Sequence, residues 1–170
     1  MNAPALVASA IVLAFAFPAA SPAAQAKPGF VPVDACLLLT KAEVEGLVGR
    51  PALPGAKEQA ANLVTCSFGD PEAPKIGGRP AAHVLTLAAF TGQEGAYAAG
   101  PVAQARDAYE TARRNAASAE AVAGLGESAY WDKTFKTLSV LKGRHFLSVE
   151  IDGGVETAKK AASKALARLP

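Results

Sequence analysis

The sequence predicts an α+β protein: an antiparallel sheet of five or six strands sandwiched by helices, in the order α-β-β-α-β-β-β-α. Three observations predict it. A hairpin can be placed, with its register, around Gly143-Arg144. Helices with clear start signals flank the strand-type runs at both ends. The strand-type runs are also grouped, with one long helical stretch between the groups, instead of alternating singly with helices.

The first helix is predicted from its boundaries. Thr40-Lys-Ala-Glu43 has the form of a capping box, and Leu39 and Val44 occupy the two positions of a hydrophobic staple. Gly49 suits a left-handed terminator, and Pro51 follows where a helix cannot continue. The helix is therefore expected over Lys41–Val48, after an extended lead-in over residues 27–35 that holds two prolines. Arg50–Ala61 reads as a polar connector, Asn62–Phe68 as a strand carrying Cys66, and Asp70–Pro80 as a loop rich in Pro and Gly. Ala81–Phe90 has apolar residues at both parities, which predicts a central strand covered on both faces.

Thr91-Gly-Gln-Glu94 reads as a second capping box, opening a helical region that Gly100-Pro101 interrupts. Val102, Ala105, Tyr109, Ala112 and Ala116 then lie along one helical stripe. Arg106/Glu110 and Glu110/Arg114 stand at the spacing of solvent-side ion pairs. Ala119–Ala123 is expected to be a short edge strand, and Ser128–Asp132 a short aromatic strand ending in a turn at Asp132-Lys133-Thr134.

Gly143 in the first loop position of a two-residue turn favours type II′, because Gly reaches positive φ without strain. That turn sets Lys142 opposite His145, Leu141 opposite Phe146, Val140 opposite Leu147 and Leu138 opposite Val149. Leu138, Val140, Leu147 and Val149 then share a core face, while Thr137, Ser139, Ser148 and Glu150 share the other. After Asp152-Gly-Gly154 a last helix is expected, with Val155, Ala158, Ala162, Leu166 and Leu169 inward and Lys159, Lys160, Lys164 and Arg168 outward. First and last helices, or the middle one, would cover a given face; the pattern does not assign which.

Composition narrows the classes of function. Residues 1–26 carry no charged side chain and hold an apolar run, Leu6–Phe17, followed by Pro18 and small residues ending Ala24-Gln-Ala26. This is the pattern of a secretory signal peptide with an A-x-A cleavage site, although no Lys or Arg precedes the run. The run is shorter than the roughly twenty apolar residues that span a bilayer. One domain, residues 27–170, would remain after cleavage, with no integral membrane segment. Its 17 basic and 15 acidic residues are mixed along the chain, so no nucleic-acid partner is expected.

Two cysteines, Cys36 and Cys66, admit one intramolecular disulfide, the usual fate of an even count in an exported chain; two buried thiols are the alternative if the chain is not exported. No catalytic residues, metal ligands or cofactor are assigned. The chain has two histidines, His83 and His145, and contains no Gly-x-Ser-x-Gly, H-E-x-x-H, EF-hand or Walker pattern. Gly124-Leu-Gly126 lacks the third glycine of a dinucleotide-binding turn and reads as a bend that needs small residues. The one stretch with a claim on a ligand or partner surface is Tyr130, Trp131, Lys133 and Phe135; the two adjacent aromatics point to opposite faces of a strand.

The run Cys36-Leu-Leu-Leu-Thr-Lys-Ala-Glu-Val-Glu-Gly-Leu-Val-Gly49, with Thr65-Cys-Ser-Phe68, Gly124-Leu-Gly-Glu-Ser-Ala-Tyr-Trp131 and Leu138-Ser-Val-Leu-Lys-Gly143, resembles a family of bacterial exported proteins and lipoproteins, notably from actinobacteria. The resemblance implies a PsbP-like α/β/α sandwich and a bridge between the two cysteines. It brings no catalytic residues, and this chain lacks the lipobox of the lipoprotein members. The expectation is an exported, non-catalytic binding or interaction module, periplasmic or extracellular, whose partner is a protein or small molecule of the cell envelope. Two alternatives are a small exported hydrolase working on the polar face of the hairpin, and an envelope-associated structural protein using the Lys/Arg face of the last helix.

Overall fold

Seven antiparallel strands form the main sheet of the computed structural model, which describes residues 30–95 and 98–170. The expected signal peptide, residues 1–26, lies outside the described residues. In chain order the elements are α1 (Ala35–Leu38), α2 (Lys41–Val48), β1 (Ala56–Ala60), β2 (Leu63–Gly69), β3 (Lys75–Ile76), β4 (Arg79–Pro80), β5 (His83–Thr91), α3 (Gly100–Asn115), β6 (Ala119–Ala121), β7 (Ser128–Asp132), β8 (Thr137–Lys142), β9 (His145–Ile151) and α4 (Gly154–Leu166). The sheet order is β1-β2-β5-β9-β8-β7-β6, and β3 and β4 form a separate small hairpin.

The β8–β9 hairpin has the register that its turn chemistry predicts: Lys142 opposite His145, Leu141 opposite Phe146, Val140 opposite Leu147, Leu138 opposite Val149. Gly143 has φ +56° while Arg144 stays out of the left-handed region, as a II′ turn requires. β9 then pairs with β5, so a strand from each group meets at the sheet centre.

Alternation along these strands builds two cores. Leu138, Val140, Leu147 and Val149 join Cys66, Leu85 and Leu87 under α1, α2 and α4. On the opposite face Leu141 and Phe146 meet Tyr130 beneath Ala105 and Tyr109 of α3. First and last helices thus share one face, and the middle helix takes the other. The buried stripe of α4 is mostly alanine (Ala158, Ala161, Ala162, Ala165), and these short side chains let the helix lie close to the sheet. A disulfide between Cys36 and Cys66 ties α1 to β2, with Cα atoms 5.0 Å apart.

α2 forms over the expected residues. Thr40 Oγ1 accepts from the Glu43 amide at 3.3 Å, Glu43 Oε2 accepts from the Thr40 amide at 2.9 Å, and Gly49 ends the helix at φ +69°.

Five expectations are corrected. The stretch 50–61 is not only a connector: β1 lies within it as an edge strand, raising the sheet to seven strands from the expected five or six. All five β1 residues are exposed, so the strand has no apolar alternation to read. The lead-in gives way at Ala35 to α1, whose N-cap Asp34 accepts from the Cys36 amide, and the loop 70–80 holds β3 and β4. The second capping box does not form. Thr91 is instead the buried last residue of β5, its hydroxyl accepting from the Val33 amide at 3.1 Å, and α3 starts at Gly100 with Pro101 in its first turn. Finally, Arg106 pairs with Glu127 and Arg114 donates to Thr111, in place of the expected pairs within the helix.

Candidate functional site

The α3 face of the sheet is only partly covered. Tyr109, buried in the middle of α3, packs at 5.4 Å from the Tyr130 ring and nearly perpendicular to Phe146 at 5.8 Å. Its hydroxyl shares a 2.8 Å hydrogen bond with Ser128. Beyond that contact the C-terminal turn of α3 stands over Thr137, Ser139 and Ser148 and leaves a groove of about 260 Å³ between helix and sheet.

Strand alternation puts the hydroxyls of Thr137, Ser139 and Ser148 into this groove, because Leu138, Val140 and Leu147 must face the larger core. Tyr130 and Phe146 contribute aromatic surface, and Asn115 contributes an amide from the last residue of α3. Burial raises the Tyr130 phenol above its ordinary range, against a smaller lowering effect of the neighbouring Ser139 hydroxyl.

The turn after β7 builds the rim. Asp132 Oδ1 accepts from the Thr134 amide at 2.8 Å, the Ser118 hydroxyl at 3.0 Å and the Phe135 amide at 3.4 Å. Burial pushes this carboxyl up, but these donors together hold it below the ordinary aspartate range. The same bonds fix the Phe135 backbone while the residue stays 62% exposed. Phe135 lines the groove on one side and, on the other, a notch of about 50 Å³ that also holds His83, Thr86 and Glu150.

The four residues singled out from sequence do not make one surface. Tyr130 (3% exposed) and Phe135 belong to the groove on the α3 face. Trp131 (7% exposed) and Lys133 line a separate depression across the sheet, beside Val155 and Lys159, where Lys133 pairs with Glu120. Adjacent strand residues face opposite ways, and β7 is covered on both sides. Ser139, Ser148 and Asn115 were not singled out. The polar parity of β8 and β9 is visible in the sequence, but how far α3 reaches over it is not.

Other features have local explanations. His145 is 5% exposed at the end of the β8–β9 hairpin, with Nδ1 unpartnered. Burial, and then the charges of Arg144 and Lys142, lower its pKa. The basic face of α4 is largely engaged: Lys159 pairs with Glu156, and Lys164 and Arg168 reach Glu43. Gly126 stands so close to β8 that a Cβ would lie 2.3 Å from the Leu141 carbonyl oxygen, which accounts for the glycine as a packing requirement. Among the described residues, no three His, Cys, Asp or Glu are grouped to hold a metal ion, and no helix is long and apolar enough to cross a membrane. No family model, curated protein or solved structure matches the chain.

Proposed function

We propose that the chain is an exported, non-catalytic binding module of the bacterial cell envelope, and that it binds in the groove between α3 and the sheet. The observation that carries this reading is Phe135. A large apolar ring is held in water at the mouth of a groove by a turn whose backbone is bonded to a buried carboxylate. Exposed aromatics on ordered backbone are typical recognition anchors, because little conformational freedom is lost when they are covered. The apolar leader, the disulfide and the likeness to exported sandwich proteins support the compartment. Helices on both faces of an antiparallel sheet support a PsbP-like arrangement.

The test is ligand-observed NMR of the mature chain, residues 27–170, against small-molecule fractions of a bacterial envelope. Binding that disappears in Phe135→Ala, with the fold retained, is the expected result. Signals that persist unchanged in that variant would remove the groove from consideration.

A second reading rests on the notch beyond Phe135, where His83, Thr86 and Glu150 meet. It is the hydrolase alternative, with His83 as base. The notch holds little more than one water, whose share of the liquid is about 30 Å³, so we rank it second. Turnover of chromogenic esters that is abolished by His83→Ala would promote it.

A further inference from the structure

The chemistry of the groove narrows its ligand, and this step rests on the groove being the binding site. We propose that it takes one neutral, polyhydroxylated ring, a sugar residue of a glycan.

Among its lining residues the groove offers a ligand no unpaired charge. Its one ionisable carboxylate, Asp132, is 2% exposed and already holds three donors. An anionic ligand would meet the Asp132 carboxylate with no counter-charge in the lining, and a cationic one would lose its hydration beside a carboxylate already held by three donors. What remains is neutral: the Ser148 hydroxyl, the Asn115 amide and the Thr137 hydroxyl, which already donates to the Phe135 carbonyl at 3.0 Å and is left to accept, beside the rings of Tyr130, Phe135 and Phe146.

An alkyl chain would match the rings but leave the Ser148 hydroxyl and the Asn115 amide dehydrated and unpaired, which costs affinity. An extended peptide pairs with a strand edge. The groove floor is instead the face of β7, β8 and β9, whose backbone groups are bound in the sheet ladder. A pyranose meets both demands. Its C–H face lies on aromatic surface, and its hydroxyls exchange hydrogen bonds with neutral donors and acceptors that both give and take. At about 260 Å³ the groove falls just under the roughly 300–1,000 Å³ typical of drug-sized ligand pockets, which fits one ring. Phe135 separates the groove from the notch, so a following unit of the chain would cross its exposed face.

The experiment uses the mature chain and saturation-transfer NMR with defined probes: neutral methyl hexosides and an N-acetylhexosaminide, a uronic acid, a protonated hexosamine, a short alkyl glycol and a tetra-alanine peptide. The neutral glycosides are expected to bind, and the charged sugars to bind at least about tenfold more weakly. Phe135→Ala is expected to weaken the neutral glycosides about tenfold and Ser148→Ala about fivefold, with melting temperatures unchanged. If the alkyl or peptide probe binds in a Phe135-dependent way and no glycoside does, the sugar assignment is overturned and the groove stands. If no probe binds, or binding ignores both substitutions, the sugar assignment and the groove fall together.

Discussion

Arg168 and Glu43, 125 residues apart, form a two-point ion pair: Nη1 to Oε2 at 2.7 Å and Nη2 to Oε1 at 2.8 Å. Glu43 is also the third helical residue of the α2 capping box, and its Oε2 accepts from the Thr40 amide. One carboxylate therefore closes the start of α2 and anchors the residues after α4, while Arg168 also donates to the Leu38 carbonyl. The Arg168 bonds, followed by those from Thr40, hold the Glu43 carboxyl down to about 2.

This pair predicts an acid-sensitive increment of stability. A carboxylate with a depressed folded-state pKa contributes fully above its unfolded value, near 4.5, and loses the contribution as pH falls towards about 2. Glu43→Gln keeps the capping geometry but removes the charge. It is expected to lower stability by about 1 kcal/mol at pH 7, given how exposed the partner is, and by nothing measurable at pH 2. Urea denaturation of both proteins across that range checks it; a gap that stays constant with pH would show that the ion pair is not its source.

His145 predicts a second window at higher pH. Its folded pKa is depressed, so the folded state binds the proton less well than the unfolded chain does. Stability is complete above about pH 6.5 and declines as pH falls below it. His145→Leu should flatten the profile between about pH 6.5 and 4.5, where Glu43 is still charged in both states. A melting temperature in the variant that still falls in step with the parent over that interval would assign the effect elsewhere.

The Cys36–Cys66 bridge closes a span of 30 residues. The loop-entropy relation gives about 3–4 kcal/mol for a closure of that length. Reduction, or replacement of both cysteines by alanine, should lower unfolding stability by that amount. Because both sulfurs are held in the bridge, alkylation should require a reductant, and burial of Cys66 at the centre of β2 should slow it further until the chain unfolds. Rapid alkylation of the untreated native protein would show the bridge to be open.

Gly124 and Gly126 provide an internal comparison. Both have positive φ, +81° and +55°, but only Gly126 would drive a Cβ into the Leu141 carbonyl. Gly124→Ala is expected to cost about 1 kcal/mol, for the left-handed conformation alone. Gly126→Ala should cost about 3 kcal/mol, with the close approach added. Equal losses in denaturant titrations would mean that the contact with β8 is not maintained in solution.

Elements specified by short-range chemistry were legible in the sequence to the residue. The β8–β9 register follows from one glycine turn and period-2 alternation, and β7 and α2 have the expected boundaries. The same reasoning missed β1, whose residues are all exposed and carry no apolar period. It also placed a helix cap at Thr91, where the motif fits locally. There the hydroxyl is taken by Val33, 58 residues away, and the residue ends a central strand.

The candidate site divides in the same way. The sequence by itself determined that Thr137, Ser139 and Ser148 lie opposite the main core, and that Tyr130 and Trp131 part across β7. Parity within a strand is a local property of the backbone. Only the tertiary structure decided that α3 covers one end of that polar face and stops at Asn115, leaving a groove with Phe135 at its rim. It also decided that Glu43 and Arg168 meet. Both outcomes depend on how whole elements pack, and packing is settled by surfaces distant in the chain, which no local pattern encodes.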